Sequence, residues 1–262
     1  MKIATFAITE KGAVFAERLA QELSGDFFLP ESVEAQSFRG CRQYTEKLSD
    51  FVPKIFGVYE GLVFVMAVGI VVRMVARCAE SKFKDPAVVV MDEAGRYAIS
   101  LLSGHEGGAN MLAYRVALVT GAEPVVTTAT EANKKIIVGV GCRRGASAEE
   151  IVGAVTAGLG KVELKPADVR VIASIALKKD ESGLIQAAGQ LGIPLRFFRA
   201  EEIAEVKAEY ARSEFVKEKI GVEGVCEPCA LLAGRSAHIL LPKTVFGQVT
   251  VAVAEEKCLW SA

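Results

Sequence analysis

Leu62 to Val72 reads LVFVMAVGIVV, eleven residues without a charge, and Arg73 follows at once. A membrane-spanning helix needs about 20 such residues, so the run is too short to cross a bilayer. It suits a strand buried on both faces that runs on into a helix. A strand hidden on both sides needs helices packed on both sides, which points to layered α/β architecture.

The rest of the chain repeats the theme. Lys2–Ile8, Gly61–Ala67 and Pro86–Met91 read as strands, and Phe15, Leu19 and Leu23 mark one face of a helix. Asp92-Glu93-Ala94-Gly95 reads as a turn, with Arg96–Leu102 returning as another strand. A glycine-rich stretch leads into a helix carrying Leu112, Val116 and Val119, and Pro124–Thr127 closes this half as a strand. Polar residues 131–135 form a linker.

A second β-α series follows. Ile136–Val140 is a strand, and Ser147 with Glu150 forms a capping box before Ile151, Val155 and Leu159. Val169–Ala176 and Pro194–Phe198 are strands flanking a helix with Leu184, Ile185, Ala188 and Leu191. Ser213–Ile220 and Cys226–Ala233 read as helices, and His238–Leu241 and Gln248–Ala254 as closing strands. The expected fold is α/β in two domains, 1–133 and 136–262, each a mainly parallel sheet flanked by helices.

Composition removes several functions. Lysine and arginine number 31 against 32 acidic residues, so no broad basic field exists to hold nucleic acid. Only His105 and His238 are present, which excludes a histidine-rich metal centre. Of six cysteines only Cys226 and Cys229 lie close, where a structural zinc site usually needs two such pairs. They read as packed thiols or as a redox pair, and the thiol-bearing chain as a cytoplasmic protein. No membrane partner is expected, and a homodimer stays open.

Four segments carry candidate chemistry. In Ser103-Gly104-His105-Glu106-Gly107-Gly108-Ala109-Asn110, glycines let backbone approach a ligand, and a helix start offers free N–H groups to an anion or oxyanion. His105 and Glu106 add titratable groups beside them. In Gly139-Val140-Gly141-Cys142-Arg143-Arg144-Gly145 the spacing is one residue too long for a dinucleotide fingerprint. Arg143 and Arg144 are either an anion anchor or a solvated surface pair. Lys178 and Glu181 follow a strand, where they either meet a substrate or open a charged helix. Asp92 and Glu93 read as a solvated turn. Loops 103–110 and 141–147 are both of the strand-to-helix kind at which α/β folds bind ligands.

These motifs resemble the cobalt-precorrin-5A hydrolase family of anaerobic cobalamin biosynthesis, CbiG. The stretch VGIVVRMVARCAESKFKDPAVVVMDEAGRYAISLLSGHEGGANMLAYRVALVTGAEPVVTTATE (68–131) is similar to its N-terminal part. VGVGCRRGASAEEI (138–151), IASIALKKDESGL (172–184), PLRFFRAEEI (194–203), SEFVKEKIGVEGVCEPCALLAG (213–234) and LPKTVFGQVTVAVA (241–254) are similar to its C-terminal domain. Longer members carry a middle segment between the two parts, whereas here TTATEANKK runs almost directly into IIVGVGCRRG.

The resemblance implies a substrate, a cobalt-bearing ring-contracted macrocycle with a δ-lactone and many carboxylates. Water opens the lactone and a two-carbon fragment leaves as acetaldehyde. No cofactor of the protein's own is implied, because the cobalt arrives with the substrate. The expected catalytic residues are His105 and Glu106 as base, with Ser103 and the Gly107 and Gly108 amides as oxyanion donors. Gly104, Gly107, Gly108 and Asn110 are expected to contact the substrate from that loop. Arg143, Arg144, Lys178 and Glu181 are the expected substrate contacts. Two other classes stay open, a non-catalytic corrinoid carrier and a nucleotide-dependent enzyme.

Overall fold

The computed structural model describes residues 1–207, 218 and 221–257. The chain divides into two compact units, Met1–Ala129 and Thr130–Ala262, with a helical turn α5 (Ala129–Ala132) at the division.

The first unit is a seven-stranded sheet in the order β3-β2-β1-β4-β5-β6-β7. Its strands are β1 (Ile3–Ala7), β2 (Asp26–Pro30), β3 (Cys41–Tyr44), β4 (Gly61–Val65), β5 (Ala87–Met91), β6 (Tyr97–Leu102) and β7 (Glu123–Val125). β1 to β5 run parallel. β6 is antiparallel to β5, pairing Met91 with Ala98 and Val88 with Leu102, and β7 runs parallel to β6.

Alternate side chains of β1, β4 and β5 point to opposite faces. Ile3, Ala7, Val63, Val65, Val89 and Met91 pack with α1 (Glu10–Leu23) and α4 (Ala109–Thr120). Ala4, Phe6, Leu62, Phe64, Val88 and Val90 pack with α2 (Leu48–Ile55) and α3 (Val68–Val75). Because both faces are covered, these strands are apolar at almost every position. Phe6 sits at the centre of the second face, with Phe64 at 4.7 Å and Phe28 at 5.3 Å between ring centroids.

The second unit has a five-stranded sheet in the order β10-β9-β8-β12-β11. Its strands are β8 (Ile136–Cys142), β9 (Val169–Ile175), β10 (Leu195–Phe198), β11 (His238–Phe246) and β12 (Val249–Glu255). β8, β9 and β10 are parallel, and the β11–β12 hairpin adds two antiparallel pairings. One face is covered by α6 (Ala148–Gly160) and α7 (Ser182–Leu191). α8 (Ala200–Ala204) follows β10, and α9 (Cys226–Leu232) packs on β8, β9 and β12. α6 opens with the expected capping box. Glu150 N–H donates to Ser147 Oγ at 3.2 Å, and Ser147 N–H to Glu150 Oε2 at 2.9 Å.

Three elements escape the hydrophobic pattern. β2 ends in Pro30, β3 is an edge strand with Arg42 and Gln43 exposed, and α2 contains Pro53. None shows the period that a half-buried strand or a long helix would write. β11 runs beyond the expected Leu241 through Pro242, with register shifts on either side of Leu241. A proline, which has no N–H to donate, fits such an irregular edge strand. The helix expected at Ser213–Ile220 falls almost entirely outside the described residues.

Candidate functional site

In the first unit, β6 carries the Ser103–Gly108 loop to the edge where the parallel strands begin. Gly107 lies against Ser103 and the Asp85 carbonyl just before β5, and Gly108 lies near Met1 just before β1. The expectation that this loop sits at the ligand-binding carboxyl edge of the parallel strands is therefore corrected. The Asp92–Gly95 turn reverses β6, so its carboxyl end lies at the opposite edge.

The glycines of this loop admit protein rather than ligand. A methyl group on Gly104 would meet Thr128 Cγ2 at 2.7 Å and Asn110 Oδ1 at 2.8 Å, and one on Gly107 would overlap Ser103 Cβ. The loop also consumes part of the helix start. Ala109 N–H donates to the Ser103 carbonyl at 3.2 Å and Asn110 N–H to that of Gly104 at 2.9 Å. Among the described residues no carbonyl accepts from the Gly107 or Gly108 amide.

The polar side chains there divide sharply. Asn110 is buried and spent within the protein, accepting from Ser100 Oγ at 2.8 Å and donating to Thr128 Oγ1 at 2.9 Å. Ser103 holds a left-handed φ of 56°, and its Oγ is enclosed with no hydrogen-bond partner among the described residues. In this conformation the hydroxyl faces the protein interior. Glu106 pairs with Lys82 at 2.7 Å. That ammonium, with the Glu106 backbone amide, holds the carboxyl below its usual range. His105 is exposed.

In the second unit, two of the sequence motifs converge. Loop 142–147 leaves the carboxyl end of β8, and residues 176–181 leave that of its parallel neighbour β9. Glu181 joins them, accepting from Gly145 N–H and from Lys178 Nζ, each at 2.9 Å. Its side chain is 8% exposed and that of Lys178 17%. The Gly145 amide and the Lys178 ammonium hold the Glu181 carboxyl below its usual range. Lys178 and Glu181, expected as substrate contacts, are thus each other's partners. Arg143 and Arg144 are exposed, and neither enters an ion pair among the described residues. A cleft of about 310 Å³ opens here, lined by Arg144, Leu177, Asp180, Glu181 and Ser182.

The glycines of β8 serve packing. A methyl on Gly139 would overlap the Cys226 carbonyl oxygen, and one on Gly141 would meet Thr250 Oγ1 at 2.6 Å. They make room for α9 and Thr250, not for a pyrophosphate. Cys226 and Cys229 are free thiols on the buried face of α9. Burial pushes the Cys226 thiol up to about 11 and Cys229 well above its ordinary value. Burial also raises Cys142. None of the three has the depressed pKa of an activated nucleophile. His238 lies on β11 opposite Glu255.

Sequence reasoning gave little weight to the Asp92-Glu93 turn. Asp92 organises it, accepting from the Arg96 and Tyr97 amides at 2.8 Å. Glu93 accepts from Thr9 Oγ1 at 2.6 Å, across the carboxyl end of β4 from the start of α1. The signal for that placement was the position of the turn directly after a parallel strand. No helix among the described residues is long and apolar enough to cross a membrane.

Residues 50–131 match the family described as Cobalamin synthesis G N-terminal, and residues 136–254 match Cobalamin synthesis G C-terminus. The chain belongs to the CbiG family. Its two CbiG segments nearly abut, with only residues 132–135 between them.

Similar proteins include the cobalt-precorrin-5A hydrolase of Salmonella typhimurium, 28% identical with 96% of this chain and 97% of the relative covered. The cobalt-precorrin-5A hydrolase of Priestia megaterium is 25% identical, with 96% and 94% covered. These alignments span 347 and 352 positions against 262 residues here, so both relatives carry residues that this CbiG chain lacks. Protein CobE of Sinorhizobium sp. is 33% identical over 130 residues, 48% of this chain and 82% of that protein.

Proposed function

We propose that this chain is a cobalt-precorrin-5A hydrolase, opening the δ-lactone with water and releasing acetaldehyde to give cobalt-precorrin-5B. The observation that carries this reading is the near end-to-end similarity, across both halves, to two proteins of that name.

His105 is the group best suited to activate water. It is exposed on a loop braced from within by Asn110 and by tightly packed glycines. An imidazole exchanges a proton near neutral pH. Glu106 is a weaker choice, since Lys82 already stabilises its ionised form. His105 takes a proton from water as the oxygen attacks the lactone carbonyl. The Gly107 and Gly108 amides, which donate to no carbonyl among the described residues, stabilise the oxyanion. The acyl C–O bond then breaks, leaving a carboxylic acid and an alkoxide. The alkoxide collapses to the aldehyde carbonyl, and the breaking carbon–carbon bond gives its electron pair to the macrocycle.

Anaerobic incubation of the purified protein with the lactone in ¹⁸O-labelled water tests the reading. Acetaldehyde release with label in the new carboxylate is expected. Binding without acetaldehyde would favour a corrinoid carrier.

A further inference from the structure

The cleft beside α7 contains groups of both signs, and their pairing decides what it can hold. Lys178 and Glu181 neutralise one another at 2.9 Å, and Glu181 spends its other oxygen on the Gly145 amide. That bond also fixes the backbone immediately after Arg144. The charges left to a ligand are Arg144 and the exposed Asp180. Leu177, 59% exposed, supplies an apolar wall.

At about 310 Å³ the cleft lies at the bottom of the range for small-molecule pockets. It is sized for one arm of a large ligand rather than for the whole of it. A planar guanidinium that enters no ion pair among the described residues matches a carboxylate in fork-to-fork geometry. Asp180 limits the cleft to a single such group, because a second carboxylate would lie beside a like charge.

Resting on the corrinoid reading above, we infer that this cleft is a subsite for one carboxylate side chain of the macrocycle. Arg144 is its specificity-determining residue, the ring edge rests on Leu177, and Lys178 is not a ligand contact. This narrows the expected set of contacts, assigning Lys178 and Glu181 to the support of the loop.

Calorimetric titration with cobyrinic acid and with its uncharged heptamethyl ester provides the test. The wild-type protein should bind the acid at least about tenfold more tightly than the ester, as expected for a hydrogen-bonded ion pair. Arg144→Ala should abolish that preference, and Arg144→Lys should restore part of it. Asp180→Asn should tighten the acid several-fold and leave the ester unchanged. Arg144 and Asp180 are exposed, so the melting temperature should stay constant. Equal binding of acid and ester by the wild type, binding of neither, or an unaltered preference in Arg144→Ala overturns the subsite.

Turnover separates this inference from the reading beneath it. Arg144→Ala should raise KM for the lactone about tenfold with kcat within about twofold. An unchanged KM removes the subsite and leaves the hydrolase. A wild type that releases no acetaldehyde yet keeps the acid preference removes the hydrolase and leaves the subsite.

Discussion

Gly139 of β8 packs so closely under the carbonyl oxygen of Cys226 that the space of a single methyl group is already occupied. The obstacle is the backbone of α9, which cannot rotate away as a side chain would. Gly139→Ala should therefore destabilise the protein by about 3 kcal/mol or more, at or beyond the upper end of ordinary overpacking. Gly153, inside α6, faces open space, and Gly153→Ala should stabilise by about 0.4–1 kcal/mol. Urea denaturation of the two variants decides the matter. Equal effects would mean that α9 does not seat on β8 as described.

His105 and Glu106 are neighbours in sequence with different electrostatic fates. His105→Ala should slow acetaldehyde release by about 10²–10⁴. Its stability should change by less than about 0.5 kcal/mol, since the side chain is exposed. Glu106→Gln removes an exposed ion pair with Lys82 and should alter turnover by less than about tenfold. Single-turnover assays of both variants separate the roles. The reverse ranking would move proton transfer to the carboxylate.

Asn110 bridges Ser100 and Thr128 from inside the protein. Asn110→Ala leaves both half-buried partners short of a hydrogen bond and should cost about 1–3 kcal/mol. Its effect on turnover should follow through disorder of the glycine-rich loop, not through lost substrate contact. Chemical denaturation reads the first effect. A change below about 0.5 kcal/mol would show that the bridge carries no stability.

Glu181 links acid stability to the second unit. Its folded carboxyl lies below the ordinary value, held by the Gly145 amide and then by Lys178, with Arg144 adding a smaller effect. A depressed carboxyl contributes stability that is present above the unfolded value of about 4.3 and is lost as pH falls through the folded one. Glu181→Gln should thus lower stability at pH 7 and flatten its decline below about pH 5. Denaturation midpoints from pH 7 to pH 3 check the slope. A variant curve parallel to that of the wild type would exclude Glu181 from this linkage.

Much of the architecture was written in local pattern. Continuous apolar runs marked the strands covered on both faces, because such strands cannot afford an alternating polar residue. Ser147 and Glu150 marked the start of α6, because a capping box satisfies its N–H groups within four residues. The reversal of β6 is legible too, in the turn at Asp92–Gly95, and that reversal sets the edge reached by His105. What only the tertiary structure decided is which neighbours fill the space beside each glycine and which charges cancel. Gly139 meets Cys226, Gly104 meets Thr128, and Glu181 meets Gly145, all across gaps in the chain that no period spans. A glycine that admits a helix and one that admits a ligand look the same in sequence. A lysine free to bind differs from one already paired only through the distance to a carboxylate, which packing sets.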